Sequence, residues 1–174
     1  MELPPWRQPL AQLSQIRHVS LVSHDKVDCC WNPPICQDAA HIWVTHFKNP
    51  HVDREIRRHD GRNMAMQEKI MTLHTEGVKR ALTDLKRYLE RSADEGDFHP
   101  EVHIVCNHGK HRSVAAVEII AMTLRYALQE FATEVSNQHR SLMNHNRWCK
   151  DRCDPCNHGR TPMSKTLGRA FEKY

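Results

Sequence analysis

The sequence predicts a single α/β domain of the three-layer type, with a mostly parallel sheet, helices packed on it, and a phosphate-binding loop at the C-terminus of a strand. Three observations support this fold class. Short runs rich in β-branched residues alternate along the chain with longer segments of helical periodicity. One strand-like run, residues 102–105, joins a helical segment through a glycine-bearing loop. The length of 174 residues suits one domain with its own core.

The first part of the chain is predicted to hold two strands. Residues 1–15 contain three prolines and little periodicity, which predicts a loose N-terminal arm. Imperfect alternation over residues 16–23 predicts the first strand, and residues 39–47 predict the second. Pro33-Pro34 interrupts the loop between them, and Asn49-Pro50 turns the chain after the second strand.

Two helical segments are predicted before the central strand. Asn63 is a predicted N-cap for a helix over residues 64–72. Residues 75–91 form the strongest helical pattern in the chain. Its apolar face consists of Val78, Ala81, Leu82, Leu85 and Leu89.

The second half of the chain continues the alternation of strands and helices. A long helix is predicted from Arg112 to about Glu130, followed by a fourth strand over residues 131–135. Such alternation favours a parallel sheet, whose ligands bind at the C-terminal ends of the strands. The domain is therefore expected over residues 16–142, with a tail over residues 143–174 that contains Cys, His, Lys and Arg.

The loop after the central strand carries the predicted chemistry. A tight loop between a strand and the start of a helix turns backbone N–H groups toward one point, and the helix dipole adds partial positive charge there. Cationic side chains supply further donors. The stretch predicts an anion site, most simply for phosphate, formed by Cys106, Asn107, His108, Gly109, Lys110, His111, Arg112 and Ser113.

Composition limits the classes of function. The formal charge of +4 permits contact with phosphates or nucleic acid without requiring it. No apolar run is long enough to span a membrane, and no signal-peptide core precedes the domain. An odd number of cysteines, seven, then favours reduced thiols or metal ligands in a cytoplasmic or nuclear setting. Nucleotide hydrolysis is not predicted, because no Gly-x4-Gly-Lys-Ser/Thr motif occurs.

The Cys106-x5-Arg112 spacing resembles the signature loop of protein tyrosine phosphatases. In that family the Cys is a thiolate nucleophile and the Arg binds phosphate with two hydrogen bonds. A phosphatase also needs a general acid, and Val105 stands where that family has His. The available carboxylates, none in a recognisable acid loop, are Asp53, Asp60, Asp94 and Asp97. A cysteine-dependent phosphatase using Cys106 and Arg112 is therefore the alternative function. The competing interpretation is a small buried cysteine at a strand end.

A longer pattern, from Cys106 through Gly109 to His111-Arg112-Ser113-Val114, resembles the C-terminal domain of RapZ, the RNase adapter protein family. Three further segments resemble that family in the same order. They are Asp38-Ala39-Ala40-His41 with Asn49-Pro50-His51, Glu55-Ile56-Arg57 with Gly61, and Val135 with His139-Arg140-Ser141-Leu142. The chain departs from the family at Trp43 and Thr45, where the family has Asp and Arg, and at Asn107-His108, where it has Thr-Gly. The Asp of the family's last motif is replaced by Ser141 in this chain.

The resemblance implies a binding domain and not an enzyme. Members bind a small regulatory RNA and sense an amino-sugar phosphate, glucosamine-6-phosphate, and they assemble into homo-oligomers. It implies further ligand-binding residues outside the loop. These are Asn49, His51, His139 and Arg140.

The tail has two features of its own. Cys149, Cys153, Cys156 and His158 have the residue types of a tetrahedral zinc site, although a cysteine-rich tail without metal is the competing interpretation. Basic residues are spread among Trp148 and Phe171, which fits either RNA contact or a solvated charged segment. They are Arg147, Lys150, Arg152, Arg160, Lys165 and Arg169.

Overall fold

A computed structural model describes residues 12–26, 40–48, 58–144 and 156. Its strands are β1 (His18–Asp25), β2 (Ala40–Trp43), β3 (Glu101–Cys106) and β4 (Glu134–His139), and its α-helices are α1 (Met64–Asp94) and α2 (Arg112–Ala127). The strands form one sheet in the order β2-β3-β1-β4, and each neighbouring pair is parallel. The predicted α/β class with a parallel sheet is confirmed. No helix among these residues is long and apolar enough to cross a membrane.

The apolar core lies on the face of the sheet that the helices cover. Alternate residues of β1 and β3 point to this face, among them Leu21 and Ile104, and both are fully buried. α1 contributes Leu82 and Leu85, and α2 contributes Ile120, to the same cluster. α1 and α2 also pack against each other and so form one helical layer on this face. Together with the sheet, the described elements make two of the three predicted layers.

α1 is one helix with a kink where the sequence predicted a break. His74 has φ −137° and ψ 32°, so the predicted segments 64–72 and 75–91 are the two halves of one element. The predicted cap is confirmed, since the Asn63 side chain accepts hydrogen bonds from Ala65 N and Met66 N at 3.0 and 3.4 Å. The Phe47 ring stacks on His74 with 5.0 Å between centroids, which places the segment after β2 against the kink.

Several predicted boundaries are wrong, among them those of the first strand, which runs over His18–Asp25, and the end of the helix after the loop, which is Ala127. The second strand ends at Trp43, because the chain turns from Val44, and Phe47 N donates to Val44 O at 3.2 Å. The fourth strand begins at Glu134, since a 3-10 helix and Ala132 with φ 54° occupy the start of the predicted range. Residues 12–15 of the predicted loose arm form a 3-10 turn in which Leu13 is fully buried, because its side chain joins the core.

The other face of the sheet carries a stack of imidazoles. His24 and His103, on β1 and β3, have parallel rings 4.6 Å apart, and His41 on β2 lies 5.4 Å from His103. His103 Nε2 lies 2.6 Å from Glu101 Oε1. Within the described residues neither ring nitrogen of His24 has a hydrogen-bond partner, and the residue is only 4% exposed. Burial, and then the neighbouring His103, lowers the pKa of His24 to about 4.

Replacing His24 with Phe should make the stability of the protein less sensitive to acid. The folded state holds His24 neutral, so unfolding takes up a proton as the pH falls from 6.5 toward 4. Wild-type stability should therefore lose about 2 kcal/mol from this group between about pH 7.5 and about pH 5. Urea unfolding at both pH values measures the loss. The exposed His99, changed to Asn, is the control and should keep the wild-type dependence. An unchanged pH dependence in His24→Phe would rule out this role.

Candidate functional site

The predicted loop lies where the C-terminal ends of three parallel strands meet. β3 ends at Cys106, which pairs in register with Asp25 at the end of β1. Ser141 follows β4, and its Oγ accepts a hydrogen bond from Asp25 N at 2.7 Å. Gly109 in the loop has φ +57° and packs against both, so that a Cβ there would lie 2.4 Å from Ser141 Cβ. The three strand ends are thus joined into one edge by the Ser141 side chain and by a close approach of the loop backbone that only glycine at this position allows.

Cys106 lies beneath the loop and not on its outer surface. The residue is 1% exposed. Gly109 N donates a hydrogen bond to Sγ at 3.2 Å, and Sγ also lies 3.2 Å from Ser113 Oγ, to which the thiol donates. The sulfur therefore closes the loop onto the first turn of α2.

The Arg112 side chain points toward the segment that follows β2. The residue is 8% exposed, and its Nη1 donates to the backbone oxygens of Thr45 and Phe47 at 2.8 and 2.9 Å. No other hydrogen bond of this guanidinium is found in the described part of the chain. One edge of the side chain is thus committed to the fold, and the sequence offered no sign of these carbonyl partners.

Residues 59–61 brace the loop from outside. His111 Nε2 lies within hydrogen-bonding distance of His59 O, at 2.9 Å. Gly61 N donates a hydrogen bond to Lys110 O at 3.0 Å. A Cβ on Gly61 would lie 2.3 Å from His111 O, so this residue packs directly on the start of α2. Asp60 is buried, and its carboxylate is paired with Arg62. Arg62 Nε donates to Oδ1 at 3.0 Å and to Oδ2 at 3.3 Å, and Arg62 Nη2 donates to Oδ2 at 2.9 Å. Sequence reasoning singled out neither His59 nor its contact with His111.

His139 lies in a polar network under α2 and not in the loop. Its ring bridges Ser23 Oγ at 3.0 Å and Glu118 Oε1 at 2.7 Å. Glu118 lies six residues after Arg112, which is about 9 Å along the helix from the loop. Arg140 reaches the other face of the sheet, where Nη2 lies 3.9 Å from Glu101 Oε1. The contacts found for these two side chains within the described residues are thus with the sheet and α2, and their part in ligand binding stays a prediction.

The remaining predicted site residues divide into two groups. Asn107 and His108 are exposed in the loop, and Lys110 is half-buried. Cys156 is 2% exposed, and its Sγ lies 3.4 Å from His59 Nδ1, which places this tail residue beside the loop's outer brace. The other predicted positions lie outside the described residues. They are Asn49, His51, Cys149, Cys153, His158 and the basic residues of the tail.

Comparison with known proteins identifies relatives. The RapZ C-terminal domain family matches residues 33–143, which include the whole loop, and so confirms the resemblance. A protein of Ruegeria sp. (strain TM1040), named a nucleotide-binding protein, is 33% identical over 98 residues, which are 55% of this chain and 31% of that protein. A nucleotide-binding protein of Rubrobacter xylanophilus is 31% identical over 102 residues, 57% of this chain and 33% of that protein. The match thus spans about a third of the length of these relatives.

Substituting Gly109 with Ala should destabilise the protein more than substituting Gly96. Both glycines have positive φ, +57° and +79°, so both variants pay a backbone cost of about 1 kcal/mol. Only Gly109 also faces Ser141 and Asp25 N at close range, whereas nothing lies within 4 Å of a Cβ on Gly96. The excess for Gly109→Ala should be about 1–3 kcal/mol in urea unfolding. Equal losses in the two variants would contradict the close packing of the three strand ends.

Proposed function

Because this chain belongs to the RapZ C-terminal domain family, we propose that it is a non-catalytic binding domain that recognises a phosphate-bearing ligand at the loop after β3. A sugar phosphate such as glucosamine-6-phosphate is the proposed small ligand, and RNA phosphates offer the same chemistry to the basic tail. An adapter role, a cytoplasmic setting and assembly into homo-oligomers stay predictions that rest on the family resemblance. The two relatives are named nucleotide-binding proteins, and these names describe those proteins.

The observation that carries this proposal is the uncapped start of α2. Its N-cap residue, His111, makes no side-chain capping bond, and the first turn of the helix holds no acidic residue. The first intrahelical bond is from Ala115 N to His111 O at 2.8 Å, so the N–H groups of the three preceding helical residues have no partner within the helix. Such donors, with the positive end of the helix dipole, are suited to an anion.

Side chains around the loop strengthen the preference for an anion. His108 is exposed and Lys110 half-buried on the loop itself. One edge of the Arg112 guanidinium is used by the carbonyls of Thr45 and Phe47, which leaves further N–H groups on the same cation. A cation that is fixed in place by its own backbone contacts loses little conformational entropy when a ligand arrives.

Two features weigh against turnover. The Cys106 thiol lies under the loop, and the residue is 1% exposed. Asp60, which belongs to the segment that braces the loop, is paired with Arg62. A phosphatase needs an accessible thiolate and a carboxylic acid beside the leaving oxygen.

One observation favours the second candidate, a cysteine-dependent phosphatase. Gly109 N donates a hydrogen bond to Cys106 Sγ at 3.2 Å, and the thiol donates to Ser113 Oγ at the same distance, so a backbone donor and the first turn of α2 both face the sulfur. The start of α2 adds its dipole. The sulfur therefore has the surroundings of a nucleophile without the accessibility of one.

Glucosamine-6-phosphate should bind without being hydrolysed. We expect heat of binding in titration calorimetry and a loss of about tenfold in affinity for Lys110→Ala, which removes one positive charge from the loop. Arg87→Ala is the matched control, since it removes an equally charged but exposed residue of α1 and should keep the affinity. If glucosamine binds with the same affinity as glucosamine-6-phosphate, the loop does not recognise the phosphate group.

An assay with para-nitrophenyl phosphate separates the two candidate functions. The binding domain should release no nitrophenol above the level of the Cys106→Ser variant. Turnover by the wild-type protein that disappears in Cys106→Ser would establish the phosphatase and overturn the binding-only proposal. Circular dichroism of the variant confirms that a lost activity is not a lost fold.

A further inference from the structure

A cleft lies at the kink of α1, away from the loop after β3. Its volume is about 430 Å³, and it is lined by residues 72–77 of the helix, by Arg80 and by His46 from the segment after β2. A volume of this size suits a small organic molecule better than a bare ion. The cleft therefore has the dimensions of a ligand site.

His46 is held in place although its side chain is exposed. Arg112 Nη1 donates to the carbonyl oxygens of Thr45 and Phe47, the residues on either side of His46. The imidazole lies edge-on against the Phe47 ring, with 4.9 Å between centroids. Gly77 leaves room for both rings, because a Cβ there would lie 2.7 Å from Phe47 Cε1 and 3.4 Å from His46 Nε2. The imidazole is thus positioned in advance, so a ligand that binds it orders little else.

Arg80 brings an uncompensated positive charge to the cleft. Glu76 precedes it by four residues, the spacing at which opposite charges pair on a helix. The Glu76 carboxylate instead accepts a hydrogen bond from Lys79 Nζ at 2.7 Å. Arg80 is exposed and has no hydrogen bond or ion pair within the part of the chain that the structure describes. Because the charges of Glu76 and Lys79 offset each other, the guanidinium gives the cleft a positive balance.

The remaining surroundings favour an anion that also carries an apolar part. The pKa of His74 is lowered, first by burial and then by nearby positive charge, including that of Lys48 and Arg112. These cations therefore lie close enough to the cleft to raise its electrostatic potential. Leu73, which is 49% exposed, supplies an apolar wall.

We propose that this cleft binds a small organic anion, whose carboxylate or phosphate group contacts Arg80 and His46 and whose apolar part packs against Leu73. A guanidinium and an imidazole both offer N–H donors to such a group. Binding here does not depend on the proposed phosphate site, because no residue of the loop after β3 lines the cleft. Phe47 connects the two regions, since its ring contacts His46 and its carbonyl accepts from Arg112.

Titration of the full chain with phenyl phosphate, followed by NMR of the backbone amides, tests the site. The amides of Thr75 and Gly77 should shift and reach saturation. Arg80→Gln should lose about tenfold in the affinity measured at these amides, because it removes the charged donor, and Arg80→Lys should recover part of the loss. Arg87→Gln removes another exposed arginine, about two turns further along α1, and should keep the wild-type affinity. Wild-type affinity in Arg80→Gln would overturn the assignment.

Further probes separate the cleft from the loop and from a site for any anion. The shifts at Gly77 should persist in Lys110→Ala, whatever becomes of binding at the loop. Phenyl phosphate that shifts the amides of Gly109 and Lys110 but not that of Gly77 would end the proposal and leave the proposed function intact. Inorganic phosphate should bind about tenfold more weakly than phenyl phosphate, because it has no apolar part to pack on Leu73.

Equal affinity for inorganic phosphate and phenyl phosphate would mean an adventitious ion only and would overturn the ligand class. Benzoate, compared with phenyl phosphate, distinguishes a carboxylate from a phosphate as the preferred anionic group. Failure of both aromatic anions to shift Thr75 and Gly77 would refute the site.

Discussion

The buried guanidinium of Arg112 is the interaction on which the arrangement of the site depends. It joins the first turn of α2 to the carbonyls of Thr45 and Phe47, two segments more than 60 residues apart in sequence. Hydrogen bonds from a charged donor contribute about 1.5–3 kcal/mol each, and leaving those carbonyls buried without a partner costs a comparable amount. Phe47, held in this way, stacks on His74 at the kink of α1. One side chain therefore positions the loop, the end of β2 and the helix that covers it.

The two faces of the sheet handle polar side chains in opposite ways. Under α2, His139 is bonded at both ring nitrogens, by Ser23 and Glu118, so its burial is compensated. On the other face, His24 is buried with no hydrogen-bond partner in the described part of the chain, and its burial is tolerated only because the ring stays neutral. The neutral His24 on the imidazole face therefore destabilises the folded state relative to the unfolded state as the pH falls.

Local patterns predicted the site better than contacts between distant segments. The strand, the loop and the helix start at Arg112 follow from hydrophobic period and from glycine, and these act within a few residues. The cap at Asn63 follows in the same way, since it bonds only to the next turn. His59 and the carbonyl partners of Arg112 escaped prediction, because nothing in a single sequence marks which backbone oxygen a cation will meet. The bonds of His139 to Ser23 and Glu118 were not predicted for the same reason.

The sequence by itself determined the fold class, the family and the loop, because strand and helix periods, turn residues and motif spacing are properties of neighbouring positions. Tertiary structure alone decided which functional groups face one another. Parallel pairing of β1 with β3 and β4 brings Asp25, Gly109 and Ser141 together at one edge. The same packing turns Arg112 toward the backbone and Cys156 toward His59, since the direction of a side chain depends on what the rest of the chain places beside it.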